Sequence, residues 1–389
     1  MEMKLRKLWP LVGAMCLGLT SSVFAHSTTQ NGSTSTYGSS MDSSSQSAQG
    51  SYQRGTFREI TPAAGPRVAH GADVFITADF IWWKASEEGL AFSGSGVNAG
   101  DTTLANVYSS PAKGKVVSVG EDWAPGFKVG LGLNMGHDGW DILAQYTWLH
   151  ASDSRTQSGD FVYAPESLPF DDGPTIAGTK NTSNWDLKFN VIDLELGRNF
   201  YLSQFLTMRP HIGLKGTWQD HDWKSKYFVS DYTVSAQDAA GANVDVPFTG
   251  PFHNDRRFEV WGIGVRGGFN VAWYMSKDWS IYGDLALASL WTNYYKSTQK
   301  IDLDDTTTGN TRGFINVDND NVYTCKSIIE LELGLRWETW FYDDNYHFAI
   351  QAGWEQQTWM GWSAFGELLD TVYHDFSVQG LNLKFRFDF

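Results

Sequence analysis

The chain has 389 residues, with 29 Lys and Arg against 44 Asp and Glu, so its formal net charge is −15 at pH 7. A chain this acidic is a poor binder of nucleic acid, because phosphates repel it. Its 18 Trp, 39 Gly and only 11 Pro favour strands and tight turns, and beyond the N-terminus no run of about 18 apolar residues indicates a transmembrane helix.

The first 25 residues have the three parts of a secretory signal peptide. Lys4, Arg6 and Lys7 form a positive start, Leu8 to Leu19 an apolar middle, and Val23-Phe24-Ala25 a cleavage site of small-residue type. We predict removal after Ala25 and therefore export from the cytoplasm. Removing three positive charges and one negative charge takes the mature chain from −15 to −17.

Three further segments follow the signal peptide. Residues 26–55 are dominated by Ser, Thr, Gln and Gly, which predicts a disordered tail. Residues 56–72 are expected to be a periplasmic lead-in, and residues 73–389 one continuous domain. One cysteine, Cys325, remains after export, so no disulfide can form within the mature chain.

The domain consists of stretches in which apolar and polar residues alternate. A period of two is typical of strands with one apolar and one polar face. In chain order the stretches are 74–84, 127–135, 140–148, 192–200, 206–215, 261–273, 279–291, 329–338, 346–355 and 381–389.

Short and long connections alternate between these stretches. The short ones, 136–139, 201–205, 274–278 and 342–345, have the composition of tight turns. The long, polar ones are 86–122, 151–184, 219–257, 292–326 and 356–375. An even number of strands with short turns at one end and long loops at the other predicts an all-β, antiparallel transmembrane β-barrel. We expect about ten strands with long extracellular loops, or up to twelve if residues 107–119 add a hairpin.

A soluble barrel of the lipocalin kind would show the same alternation with its apolar face inside. Tryptophans favour the membrane barrel, because "WGIGVRGGFNVAW" (261–273) and "WSIYGDLALASLW" (279–291) begin and end with Trp. Thirteen residues at about 3.3 Å each, tilted near 40°, match an apolar band of about 25 Å with its borders. Trp rings are best placed at those borders. The predicted interface girdle includes Trp140, Trp148, Trp261, Trp273, Trp279 and Trp291. Towards the long-loop side we also place Trp82, Trp123, Trp185, Trp218 and Trp354.

The last stretch ends on an aromatic residue. Phe385, Phe387 and Phe389 alternate with Arg386 and Asp388. Outer-membrane proteins typically end in such a strand, so we interpret the three rings as the signal for the barrel assembly machinery.

Several stretches resemble the Legionella-type major outer membrane protein family, which also occurs as MOMP-like proteins in chlamydia-related bacteria. They are "HDGWDILAQYTWLH", "NVIDLELGRNFYLS", "LTMRPHIGLKGTW", "WGIGVRGGFNVAW", "ELGLRWETWF", "HFAIQAGWEQQTWM" and "LNLKFRFDF". The resemblance spans about residues 73–389 and implies an abundant surface barrel regarded as a porin. It brings no catalytic motif. Chlamydial members are rich in cysteine, and this chain departs from them with Cys325 alone.

Motifs for chemistry are weak. Gly262, Gly264 and Gly267 form a dinucleotide-type pattern, but no helix follows the strand that contains it. Acidic runs at 302–305 and 318–321 lack the full spacing of a calcium loop. An omptin-type surface protease would need His and Asp to converge at the extracellular rim, with His150, His221, His253 and His374 as the candidates. We expect no enzyme activity and no cofactor.

The polar faces predict a charged lumen. The candidate lining residues are Asp193, Glu195, Arg209, Lys215, Arg266, Asp284, Glu330, Glu332, Arg336, Glu338, Glu355, Lys384 and Arg386. We predict a water-filled porin that allows passive diffusion of small hydrophilic solutes, filtered by lumen charge. The alternative is a narrow barrel closed by paired charges, acting through its loops as an adhesin or structural envelope protein. The expected surroundings are outer-membrane lipid, and a homo-oligomer is compatible with the sequence.

Overall fold

The computed structural model describes residues 64–66, 68, 73–95, 113–135, 138–163, 177–237, 241–306, 308–319, 321–365 and 373–389. All of them belong to one compact unit, residues 59–389. The predicted signal peptide 1–25, the tail 26–55 and most of the lead-in 56–72 lie outside the described residues. Within the described part, no helix is long and apolar enough to cross a bilayer.

The described chain forms fourteen strands. The first seven are β1 (Val74–Glu87), β2 (Ala91–Gly94), β3 (Val116–Ser118), β4 (Trp123–Asn134), β5 (Trp140–Tyr163), β6 (Ala177–Arg198) and β7 (Phe200–Ser203). The others are β8 (Leu206–Gln237), β9 (Asn243–Tyr274), β10 (Trp279–Asp305), β11 (Asn310–Asn319), β12 (Val322–Phe341), β13 (Tyr346–Ser363) and β14 (His374–Asp388).

Ten of these strands close into an antiparallel barrel. Around the wall the order is β5, β4, β1, β14, β13, β12, β10, β9, β8 and β6, and β6 returns to β5. The other four strands are additions at the ends, with β2 on β3, β7 on β8 and β11 on β10. The expected architecture and strand number are confirmed. Val116–Ser118 pairs with Ala91–Gly94 outside the ring, so it adds no barrel strand, and Val107 lies outside the described residues.

The alternation predicted from sequence is present in the wall. On β12, Leu331, Leu333 and Leu335 are exposed on the outer face, while Glu330 and Glu332 point inward. Apolar side chains on the outer face of a barrel are stable only in lipid, which agrees with a membrane span. The close packing of strands also explains the glycine pattern of β9, because a Cβ added at Gly264 would lie 1.9 Å from the carbonyl oxygen of Ser289.

Tryptophans mark two levels on the outer face. Near the short turns, the lower girdle contains Trp273 and Trp279, both about half exposed, together with the partly buried Trp140. Near the long-loop end, the upper girdle consists of Trp82, Trp123, Trp148, Trp218, Trp261, Trp291 and Trp354. Neighbouring rings of this girdle touch, as Trp261 and Trp291 do with centroids 5.6 Å apart.

Two expectations need correction. Most of the residues predicted as long loops continue the strands beyond the upper girdle. For example, β8 and β9 pair from Leu206 and Trp273 up to Gln237 and Asn243, because strand pairing with a neighbour supplies backbone hydrogen bonds whatever the side chains are. We call these strand ends the extracellular extension. Second, Trp185 is 2% exposed and lies inside the barrel.

Candidate functional site: the barrel interior

The upper part of the barrel interior is filled by one apolar cluster, which we call the aromatic core. Each of the ten barrel strands contributes at least one buried apolar side chain to it. Its largest members are Trp83, Trp185, Trp223, Trp359, Trp362, Phe189, Phe258, Phe365, Phe376 and Tyr294. Such a cluster is packed like the interior of a soluble protein.

Contacts between opposite walls show that the core crosses the whole lumen. Strands β6 and β13 are five places apart in a ring of ten, and their Phe189 and Trp359 rings meet with centroids 5.4 Å apart. Strands β8 and β14 are also five places apart, and the centroids of their His221 and Phe376 rings are 5.4 Å apart. Both ring pairs meet edge to face, the favoured geometry for buried aromatics.

A polar chain runs through this core. Trp362 Nε1 donates to Gln219 Oε1 at 2.8 Å, and Trp185 Nε1 donates to Glu87 Oε2 at 2.9 Å. His221 lies between them, with Nε2 3.1 Å from the Gln219 oxygen and Nδ1 3.2 Å from the Glu87 oxygen. These bonds satisfy polar groups that would otherwise be costly to bury, and they join four different strands.

Below the aromatic core lies a cavity of about 670 Å³, which we call the lower cavity. Phe189 and Gln357 line its upper part, and the exposed turn residues Gln204, Ser276 and Lys277 line its lower end. The lower cavity therefore extends to the short-turn end, which is the periplasmic end in bacterial outer-membrane barrels.

The lower cavity gathers nearly all of the predicted lumen residues. Twelve of the thirteen candidates line it: Asp193, Glu195, Arg209, Arg266, Asp284, Glu330, Glu332, Arg336, Glu338, Glu355, Lys384 and Arg386. The thirteenth, Lys215, is buried in the interior, where its Nζ lies 2.8 Å from both Asp193 and Glu330.

Most cations of the interior are paired with carboxylates. Arg209 reaches Asp141 at 2.5 Å and Glu195 at 2.9 Å. Arg266 contacts the same Glu195, and it also contacts Glu330 at 2.7 Å. On the other wall Lys128 and Glu355 are 2.6 Å apart. A buried charge is stable only when it is paired or hydrogen-bonded in this way.

Charges around the lower cavity nearly cancel. Its lining contains eight carboxylates and seven Lys or Arg side chains, so 7 − 8 gives −1 with His neutral. The strong negative charge of the chain is therefore not concentrated in the lumen, and the cavity wall offers both signs to a solute.

The His–carboxylate neighbours do not converge on one open rim. His221 and Glu87 are both fully buried. His150 pairs with Asp186 at 2.7 Å on exposed positions.

His253 pairs with Asp304 at 2.9 Å. A hydrogen bond from Thr311, together with His253, holds the pKa of Asp304 below its usual range. His374 lies beside Gly89. Within the described residues no group of three or more His, Cys, Asp or Glu could hold a metal ion.

The sequence prediction did not include the aromatic core, because it used the alternation of apolar and polar residues only within the membrane span. A signal was present in "WDLKFNVIDLEL". Trp185, Leu187, Phe189 and Val191 are apolar at odd positions, and the apolar positions become even from Ile192 onward. The buried members are the odd ones, so the change of phase marks where the interior becomes apolar.

A closed ten-stranded barrel with a lipid-type outer face and two Trp levels defines an integral β-barrel of the outer-membrane class. A sequence model described as Legionella pneumophila major outer membrane protein precursor matches residues 66–389. The chain belongs to that family, which confirms the resemblance seen in the strands. No curated protein sequence matches the chain.

The solved structures that match the chain are distant from it in sequence. The outer membrane protease OmpT from Escherichia coli is 11% identical over 81% of this chain and 97% of its own, with a TM-score of 0.30. The Ralstonia pickettii toluene transporter TbuX is 10% identical over 82% and 90%, with a TM-score of 0.25. The Pseudomonas putida toluene transporter TodX is 9% identical over 82% and 90%, with a TM-score of 0.23.

Proposed function

We propose that this protein is a closed outer-membrane barrel that acts at the cell surface through its extracellular extension, as an adhesin or structural envelope protein. The observation that carries the proposal is the aromatic core, to which all ten barrel strands contribute. A solute crossing the barrel would have to separate Phe189 from Trp359 at the centre of the lumen. Ion passage through such a dry layer is strongly disfavoured.

The cellular setting of this proposal comes from the sequence. The signal peptide is cleaved after Ala25, and the assembly machinery reads the strand that ends at Phe389. The barrel is inserted in the outer membrane with its short turns in the periplasm. The protein is not an enzyme, a proposal supported by the fully buried state of the His221–Glu87 pair, which no external substrate reaches.

A second candidate is a porin for small hydrophilic solutes and ions, and the lower cavity favours it. That chamber is wide, lined by both signs of charge and open towards the periplasm. It occupies about the lower half of the path that a solute would need. In this alternative the aromatic core has to move aside, so the pore would be gated.

Planar-bilayer recordings of the refolded full chain separate the two candidates. The closed barrel predicts insertion, seen as a heat-modifiable band and β-type circular dichroism, without discrete conductance steps at moderate voltage. Long-lived open steps in most insertions would overturn the proposal in favour of the porin. Binding of whole cells to host surfaces, compared with cells that lack the protein, then tests the surface role.

A further inference from the structure

The lower cavity has two walls that differ in how their charges are satisfied. On the side of β6, β8 and β9, Arg209 contacts two carboxylates and Arg266 contacts three. On the side of β12, β14 and β1, Arg336 and Lys384 contact no carboxylate within 4 Å in the described part of the chain. The part of the wall around these two cations, which we call the unpaired wall, therefore lacks the carboxylate partner that Lys128 has in Glu355 elsewhere on this side.

The unpaired wall has a defined order. Arg336 on β12 is the register partner of Gln351 on β13, Gln351 of Lys384 on β14, and Lys384 of Asp79 on β1. These four residues form one row across four adjacent strands, and all four line the cavity. Neighbouring strands are about 4.8 Å apart, so the Cα atoms of Arg336 and Lys384 are about 10 Å apart along the wall, within the combined reach of the two side chains.

Acceptors without partners face the same space. One carboxylate oxygen of Asp79 and one of Asp284 are buried without a hydrogen-bond partner within the described residues, as is Nε of Arg336. Each such atom is costly unless water or a ligand satisfies it. Both kinds of unsatisfied group, donor and acceptor, are thus present in one preformed chamber.

We propose that the lower cavity binds a small zwitterion, with its carboxylate at Arg336 and Lys384 and its ammonium group at Asp79. The unsatisfied donor of Arg336 and the unsatisfied acceptor of Asp79 favour a ligand that carries both an anionic and a cationic group. The volume of about 670 Å³ is within the usual range for small-molecule sites. Entry is from the periplasmic end, so binding needs no movement of the aromatic core.

The test is isothermal titration of the refolded full chain in detergent with 6-aminohexanoate, and with hexanoate and hexylamine as monofunctional controls. We expect saturable binding of 6-aminohexanoate and at least tenfold weaker binding of each control. Equal binding of hexanoate would replace the zwitterion site with an anion site, and no binding of any of the three would overturn the proposal.

Variants locate the site. Lys384→Met and Asp79→Asn should each weaken 6-aminohexanoate binding about tenfold or more, while Lys277→Met, at the exposed mouth of the same cavity, should leave it unchanged. Unchanged binding in the first two variants would overturn the assignment. If Lys384→Met does not refold, Arg336→Gln takes its place. The measurement is independent of conductance, so its failure and that of the closed-barrel proposal are distinguishable.

Discussion

Removing the two rings that meet across the lumen should open the barrel. Phe189 and Trp359 are both fully buried, and their centroids are 5.4 Å apart between opposite walls. Replacing each by Ala costs about 3–5 kcal/mol, and their mutual contact adds about 0.5–1.5 kcal/mol beyond burial. Each single change already removes the contact between the two rings, so adding the two single costs counts that contact twice. The free energy of unfolding of the double variant should therefore fall by about 5–9 kcal/mol.

The assay combines unfolding and conductance. Urea titration of the barrel in detergent gives the free energy of unfolding, and planar-bilayer recording tests for current. Discrete open steps are expected in Phe189→Ala/Trp359→Ala and in no wild-type channel. The controls Trp354→Ala and Trp291→Ala remove rings of the same kind from the outer face, where they are 49% and 51% exposed, and should stay silent.

Two results would refute the reasoning. If the double variant refolds and inserts yet remains silent, the aromatic core is not the barrier to ions. If the wild type already conducts as the double variant does, the closed state does not persist in a bilayer. Should the double variant fail to refold, the single change Trp359→Ala gives the same comparison at a smaller cost in stability.

Three further predictions concern stability and assembly. Lys128→Met should destabilise the barrel by about 3–5 kcal/mol in urea titration, since it leaves Glu355 buried without its cation. The double change Lys128→Met/Glu355→Leu should recover most of this stability. No recovery would contradict the pairing argument. Leu331→Arg, in the middle of the outer face, should lower the free energy of unfolding by about 2–4 kcal/mol. Tyr323→Arg, near the upper girdle, should lower it by about 0–1 kcal/mol. Equal losses would place the membrane elsewhere. Deleting Phe389 should lower the amount of barrel recovered from outer membranes, measured by heat-modifiability, and an unchanged amount would refute its role in assembly.

The membrane span could be predicted because its pattern is local. Alternate exposure of Leu331, Leu333 and Leu335 repeats the alternation in the sequence, and a strand with lipid on one side and a polar lumen on the other needs no distant information. The same reasoning brought twelve of thirteen lumen candidates to one cavity. Which cation pairs with which carboxylate could not be predicted, because Lys128 and Glu355 are on strands separated by two others in the wall.

The extracellular extension and the aromatic core were not predicted from the sequence, because both depend on contacts between distant parts of the chain. Residues 219–257 are polar enough to suggest a loop, but β8 and β9 pair along almost all of them. The core depends on contacts such as Phe189 with Trp359, which are 170 positions apart in the chain and meet only after the barrel closes. The extension does not follow from a window of ten residues, and the core shows in such a window only as the change of phase after Val191.

The change of phase in the apolar positions explains why closure accompanies the extension. On β6, Val191 is buried inside and Ile192 is exposed outside, and the adjacent Asn190 is the register partner of Trp148 and Trp218 in the upper girdle. On β9, Val260 is buried inside and Ile263 is exposed outside, on either side of Trp261. At the girdle, each strand thus exchanges an apolar outer face for an apolar inner one.

This exchange has a simple physical reason. Below the girdle, lipid receives the apolar side chains, and above it the outer face meets water, so the apolar residues can be buried only in the interior. The aromatic core is therefore the hydrophobic core of the extracellular extension, and it is formed by the same strands. Opening the lumen of this barrel would therefore require disrupting the packing that holds the extension together.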